Sequence, residues 1–321
     1  MEFNTCQERL FGVPGGLGAV GEPGGVVVFG APYEGASFNP AGAALGPGAI
    51  RAASLLAWCY RHDHHLDGCM PFFAPEDGGL SPLTGNRIID VGDLALSHES
   101  PEEAAEVVSA AVGQWLRGGA GVLGLLGDHS LTYGMVSALA AQGKAGVIFF
   151  DAHLDASPLP SPPLSHGTWA SCCRQLPGVS CVAQVGLRSP QPWPESMGEP
   201  MRGMPSRAFS TWGVDLVLPA AEFSDRGIDA LLDQLPEGLN WHISLDVDVL
   251  DPMVMPCTGV PVPLGLWPQG VLSALRRLCA RLPVASMDIC EFAPSQRPAF
   301  ADMAALTLSG LAVGMVSSLA G

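Results

Sequence analysis

Basic side chains are scarce in this chain: 15 Lys and Arg stand against 31 Asp and Glu, a formal charge of −16 at pH 7. Binding a polyanion requires a Lys- and Arg-bearing surface that neutralises phosphates, so no nucleic-acid partner is expected. Charge of either sign is sparse, at 14% of residues against 48% apolar, and 321 residues of this composition can bury a large core. The nine cysteines contain no C-x-x-C pair and are odd in number, which predicts free thiols in a reducing compartment. Met1-Glu2-Phe3-Asn4-Thr5 offers neither a basic start nor an apolar stretch of leader length, so the expected location is cytoplasmic. No G-x-S-x-G occurs, and serine-type hydrolysis has no support. Met303 to Ala320 is apolar but interrupted by Thr307, Ser309, Gly310, Gly314, Ser317 and Ser318 and has no basic flank. It is short of a span of ~20 residues. A helix buried in the fold or at a subunit contact is expected there, and no membrane association.

Strand-like and helix-like segments alternate along most of the length, and Gly and Pro fall mostly at the ends of apolar runs. That alternation predicts one α/β domain over 26–321, a doubly wound, mainly parallel sheet of about eight strands with helices on both faces. A Gly/Pro-rich irregular arm, 1–25, precedes it. The arm holds G-x-G-x-x-G at Gly16 to Gly21, but the strand this dinucleotide pattern needs before it, Val26 to Phe29, comes after it. A helix is predicted from near Pro47, a strand over Arg87 to Val91, and a helix opened by Pro101 with Glu102, Glu103 and Glu106 at its positive end. Ser130 is expected to cap the next helix, to about Gln142. Later strands fall at Cys181 to Val185 and Pro283 to Asp288, and helices at Asp225 to Gln234 and Pro268 to Arg281.

Three of the apolar runs end in acidic and histidine clusters. Val122 to Leu126 leads into Gly127-Asp128-His129-Ser130, Gly146 to Phe150 into Asp151-Ala152-His153-Leu154-Asp155, and Trp241 to Leu245 into Asp246-Val247-Asp248. Ligands of open α/β sheets bind beyond the carboxyl ends of the strands, so the clusters converge. Packed carboxylates raise one another's pKa values, and a bound cation relieves that cost. Carboxylates bridge cations, and imidazole suits transition metals rather than calcium. His129, Asp151, His153, Asp155, Asp246 and Asp248 suffice for a two-metal site. Asp251, before Pro252, reads as a turn residue, and His62-Asp63-His64-His65 as surface loop.

These residues resemble the arginase/agmatinase (ureohydrolase) family, closest to its agmatinase-like branch, whose signatures are G-G-D-H-S, D-A-H-x-D and S-x-D-x-D-x-x-D-P. Asp151 to Asp155 and Ser244 to Pro252 match fully, while Leu126 replaces the first Gly of G-G-D-H-S. The likeness extends to Gly42 through Arg51, Asp90 to Asp93, Gly186 to Ser189, Cys257 to Pro261 and Asp288 to Glu291, and covers roughly 26–318. It implies one metal on His129, Asp151, Asp155 and Asp246 and another on Asp151, His153, Asp246 and Asp248. Asp155 would orient a bridging hydroxide. It further implies that Glu291 grips the guanidinium and that His166 passes a proton to the leaving amine. Two divalent ions are implied, manganese first and nickel second, as is a trimer or hexamer of like chains.

The segment from Ala156 to Ser165 is expected to choose the substrate, with Ser157 and Ser165 as contacts. It lacks the Asn-x-His-Gly closure of arginases and the Asn and acidic residues of agmatinases, and carries four prolines. A guanidino compound without an α-amino-acid head, such as agmatine or a guanidino acid, is expected. A small or alkylated guanidine or biguanide, with nickel, is one alternative. A non-catalytic partner of a related subunit in a hetero-oligomer is another.

Overall fold

The computed structural model describes residues 3–4, 9–13, 23–38, 41–59, 69–74, 79–84, 88–96, 100–160, 162–190 and 209–320. Gly16 to Gly21 and His62 to His65 lie outside them. In chain order the elements are β1 (Phe3–Asn4), β2 (Val26–Ala31), α1 (Gly46–Cys59), β3 (Cys69–Ala74), β4 (Gly79–Thr84), β5 (Ile88–Leu94), α2 (Pro101–Arg117), β6 (Gly121–Leu126), α3 (Thr132–Ala140) and β7 (Ala145–Phe150). They continue with α4 (Trp169–Arg174), β8 (Val179–Val185), β9 (Leu216–Leu218), α5 (Ala220–Arg226), α6 (Asp229–Leu232), β10 (Asn240–Asp246), α7 (Pro268–Arg281), β11 (Val284–Cys290) and α8 (Ala301–Ala320).

The nine-stranded sheet runs β1-β5-β2-β6-β11-β10-β7-β8-β9, and every neighbouring pair except β1–β5 is parallel. β3 and β4 form a separate antiparallel hairpin. Period-2 alternation sends strand residues to opposite faces. Leu123, Leu125, Ile148 and Phe150 pack with residues of α7 and α8. Val122, Leu126, Val147 and Phe149 pack among residues of α2, α3 and α4. β6 and β7 are consecutive in the chain but separated by β11 and β10. Connections therefore leave in opposite directions around the ends of β6, β11, β10 and β7, which opens a crevice there.

Local chemistry explains the boundaries. Ser100 caps α2 in a reciprocal box with Glu103, and Pro101 occupies the first turn. The helix expected to follow Ser130 begins at Thr132 without a side-chain cap; Asp128, whose carboxylate accepts from the Ser130 amide, caps the 3-10 turn, His129–Leu131, that precedes α3. The helix expected over Asp225 to Gln234 is broken into α5 and α6 at Gly227, φ 67°. The expected strand Arg87 to Val91 runs on to Leu94.

Residues 9–13 of the arm pack onto the domain. Leu10, Phe11 and Val13 are buried in the core, the Leu10 amide donates to Asp90 Oδ2 at 2.8 Å, and the Phe11 amide donates to Ser54 Oγ at 2.8 Å. Asp90 also takes both Nε and Nη2 of the fully buried Arg51, at 2.8 and 2.9 Å. A buried charge needs this pairing, and the arm completes it. α8 is long and apolar enough to cross a membrane, yet half of it is buried against the fold, where it packs on α1 and α7.

Candidate metal centre

Each cluster leaves its strand at the crevice. After β6, Gly127 passes where an added Cβ would meet the Tyr33 carbonyl oxygen at 1.8 Å, so only glycine fits. The Asp128 carboxylate that follows is tied to the amides of Ala36 and Ser130, and Leu126, in place of glycine, is absorbed by the core. After β7, Asp155 adopts φ 48°, a conformation tolerated by Asp more than by most residues. After β10, the Asp246 carboxylate accepts from the Asp248 amide at 2.9 Å, and Asp248 accepts from the Ala152 amide at 3.0 Å. The strand ends thus lock one another.

His129 Nε2 lies 2.9 Å from Ser244 Oγ, which itself donates to Asp288 Oδ1 at 2.6 Å. With the Ser244 hydrogen committed to Asp288, its oxygen accepts from Nε2–H. The opposite nitrogen, Nδ1, is left facing Asp155 Oδ2 and Asp246 Oδ2 at 3.1 Å each and Asp151 Oδ2 at 3.4 Å. It has no hydrogen-bond partner there, and neither does Asp151 Oδ2. A lone pair turned toward three carboxylates is repulsive unless a proton or cation lies between them. His153 Nδ1 likewise faces Asp248 Oδ2 at 2.8 Å and Asp151 Oδ1 at 3.6 Å.

Two overlapping donor groups result. His129, Asp151, Asp155 and Asp246 form one and Asp151, His153 and Asp248 the other, each with its donor atoms within 4.8 Å of one another. All six expected ligands are therefore brought together. Titration reflects the crowding. Burial, then Asp155 and Asp248, raise Asp151 to about 7, and burial, then Asp248 and Asp151, push Asp246 well up. Burial pulls His153 down, but hydrogen bonds and attraction from Asp151 and Asp248 override it and push the ring up to about 12. Protons here answer the charge that a cation would answer.

The cleft above, about 150 Å³, has His153, Asp155, Asp246 and Asp248 at its floor. Its walls are His166, Glu291, Thr258 and Val260. Glu291 follows β11 at φ 63° and accepts from the His129 amide at 2.9 Å. His166 Nε2 accepts from the Phe38 amide at 3.2 Å, so its proton sits on Nδ1, 3.6 Å from Glu291 Oε1. The other two expected substrate contacts are placed elsewhere. Ser165 Oγ is engaged by Thr168 Oγ1 at 2.9 Å, the Ser157 amide by Ser171 Oγ at 2.7 Å, and neither lines the cleft. Asp251 accepts from the amides of Met253 and Gly265, as a turn residue does.

Residues 24–313 match the Arginase family. The chain belongs to that family. It is accordingly an enzyme that hydrolyses C–N bonds of linear amidines. It is 31% identical over 280 residues to the proclavaminate amidinohydrolase of Streptomyces clavuligerus, covering 84% of this chain and 80% of that one. It is 30% identical over 282 residues to the agmatinase of Chromobacterium violaceum, covering 84% and 76%. The solved structure of proclavaminate amidinohydrolase superposes with a TM-score of 0.77 at 25% identity, over 98% of each chain.

The sequence reading missed several parts of this arginase-family site. Trp169 Nε1 donates to Asp155 Oδ2 at 3.2 Å and stacks near His129, with ring centroids 4.4 Å apart. Thr258 and Val260 belong to a stretch whose likeness was visible but whose position was not. Phe38 carries no local motif, and Cys290 lies inside the Asp288 to Glu291 likeness without a donor role being readable there.

Proposed function

We propose that this chain is a binuclear, agmatinase-like ureohydrolase that cleaves a guanidino compound to urea and an amine. The observation that carries the reading is the buried, unpartnered Nδ1 of His129 among three carboxylates. One cation would be held by His129, Asp151, Asp155 and Asp246, the other by Asp151, His153, Asp246 and Asp248. Two divalent ions bound there, manganese first and nickel second, would supply the Lewis acidity that activates water near neutral pH.

The chain's own residues do the rest. Glu291 takes the guanidinium, a planar donor fork suited to a carboxylate. Asp155 orients the nucleophile. His166, its Nε2 occupied by Phe38, gives a proton to the leaving amine from Nδ1. Trp169 holds Asp155, and Ser244 holds His129; such outer contacts orient ligands.

Among the described residues no Lys or Arg lines the cleft. Arg188 spends its guanidinium on the backbone carbonyls of Gly186, Asp248, Val249, Leu250, Val262 and Pro263. This favours a guanidino substrate without an anionic head. The apolar Val260 in the wall keeps an alkylated guanidine or biguanide, turned over with nickel, as a second reading. The same centre in the cytoplasm, in a trimer or hexamer, is the setting we assign.

The test is urea release from arginine, agmatine, guanidinobutyrate, guanidine and biguanides, with manganese and with nickel. Agmatine or a guanidine should lead. Preference for arginine would refute the headless substrate, and purified protein that binds no transition metal and releases no urea would favour a non-catalytic partner subunit.

A further inference from the structure

A seventh donor lies beside the six: the Cys290 thiol. Cys290 closes β11 and pairs in register with Asp246 at the end of β10. Side chains at matched positions of neighbouring parallel strands leave the sheet on the same face. Cys290 Sγ, a ring nitrogen of His129 and a carboxylate oxygen of Asp246 lie within 4.8 Å of one another, and all three residues are buried. Sulfur and nitrogen donors on one tetrahedral ion stand about 3.5 Å apart, given bonds of about 2.3 and 2.0 Å. That spacing fits inside the 4.8 Å within which the three donors lie. The thiol's other polar contact is weak, 3.7 Å to the Leu245 carbonyl. Independently, His129 Nδ1 is fully buried and unpartnered.

We propose that Cys290 makes the His129 position a mixed imidazole–carboxylate–thiolate site that takes thiophilic divalent cations by direct sulfur coordination. The His153 position offers only nitrogen and oxygen. This rests on the metal-centre reading above. The two halves of the centre then differ in chemistry: soft donors favour zinc, cadmium or cobalt, and carboxylate-rich sets favour manganese. Each ion bound at the sulfur forms one metal–sulfur bond and releases the thiol proton to solvent, because the thiolate is the ligand.

The test uses the full chain, stripped with chelator and titrated with Co2+, Cd2+ and Mn2+, as wild type, Cys290→Ala and the similarly sized Cys290→Val. Wild type should show an intense near-ultraviolet thiolate-to-cobalt absorption that both variants lose. Cd2+ affinity should fall by about tenfold or more in the variants, with Mn2+ affinity moving by less than roughly threefold. Cobalt bound by wild type with no such absorption would overturn the sulfur ligand and leave the metal centre standing. Wild type that binds none of the three ions would overturn both. Should both variants lose Mn2+ as well, the wild-type cobalt spectrum alone decides.

Discussion

Stripping metal from this protein should make its stability fall as pH rises, opposite to the usual gain as carboxylates ionise on leaving acid. Asp151 is raised from 3.8 to about 7 in the fold, first by burial and then by Asp155 and Asp248. Between those values the native state holds a proton that the unfolded chain has released, so stability present at low pH is lost on the way up. From pH 5 to 7, at up to about 1.4 kcal/mol per unit and less as the native group itself titrates near 7, that is about 2 kcal/mol. His153, pushed up to about 12 against its burial by Asp151 and Asp248, acts in the same direction. The unfolded imidazole deprotonates near 6.5 while the native one stays charged, so stability falls further above that pH. Against a total of about 5–15 kcal/mol for a domain, the loss is large. Urea midpoints of chelator-treated protein at pH 5, 6, 7 and 8, beside manganese-loaded protein, measure it. Bound cations keep the carboxylates ionised and the two imidazole ligands neutral, so the loaded series should rise with pH as the unfolded histidines release their protons near 6.5, and level off above it. A chelated protein whose stability is level or rising from pH 5 to 7, or a loaded protein falling in parallel, would refute the electrostatic account.

Asp246→Ala should abolish turnover and lower the metal content measured by mass spectrometry; full activity would remove Asp246 from the centre. Glu291→Gln keeps an acceptor for the His129 amide but removes the charge, so substrate binding should weaken with both metals retained, and wild-type kinetics would place the guanidinium elsewhere. Trp169→Phe removes the donor to Asp155 and should cost about 10-fold in metal affinity or activity, read by competitive chelation and steady-state rates. Replacing Ser157 to Ser165 with an Asn- and Asp-bearing agmatinase-like loop should shift the urea-release profile. An unchanged profile would show that selection lies with the Thr258 and Val260 wall.

The site was more legible than its surroundings because each ligand pair sits immediately after a buried strand. Once a strand is placed, period-2 geometry and the carboxyl-end rule place the residues that follow it. Contacts made across long sequence separations leave no such trace. Asp90 was visible as part of a strand-end cluster, but nothing local reveals that its carboxylate receives the Leu10 amide from 80 residues away. That bond ties residues 9–13 of the arm to the core. Ser130 looked like a cap on type alone, and Asp128 won because its carboxylate reaches the Ser130 amide and the Ala36 amide together.

The same logic separates the two ends of the active cleft. The proposed metal floor is specified by motif, since exchanging any one donor type changes charge or donor atom. The walls are specified by loop packing. Ser165 has the right chemistry for a substrate contact, yet its hydroxyl is turned to Thr168 Oγ1 and the loop closes on itself. Phe38, 84% exposed, lies with its ring tilted 5.3 Å from His166, but it fixes that ring through its backbone amide, a bond indifferent to side-chain type and therefore unreadable from sequence. Cleavage chemistry should accordingly tolerate little change at the floor, whereas substrate choice can shift through substitutions that leave every metal donor in place.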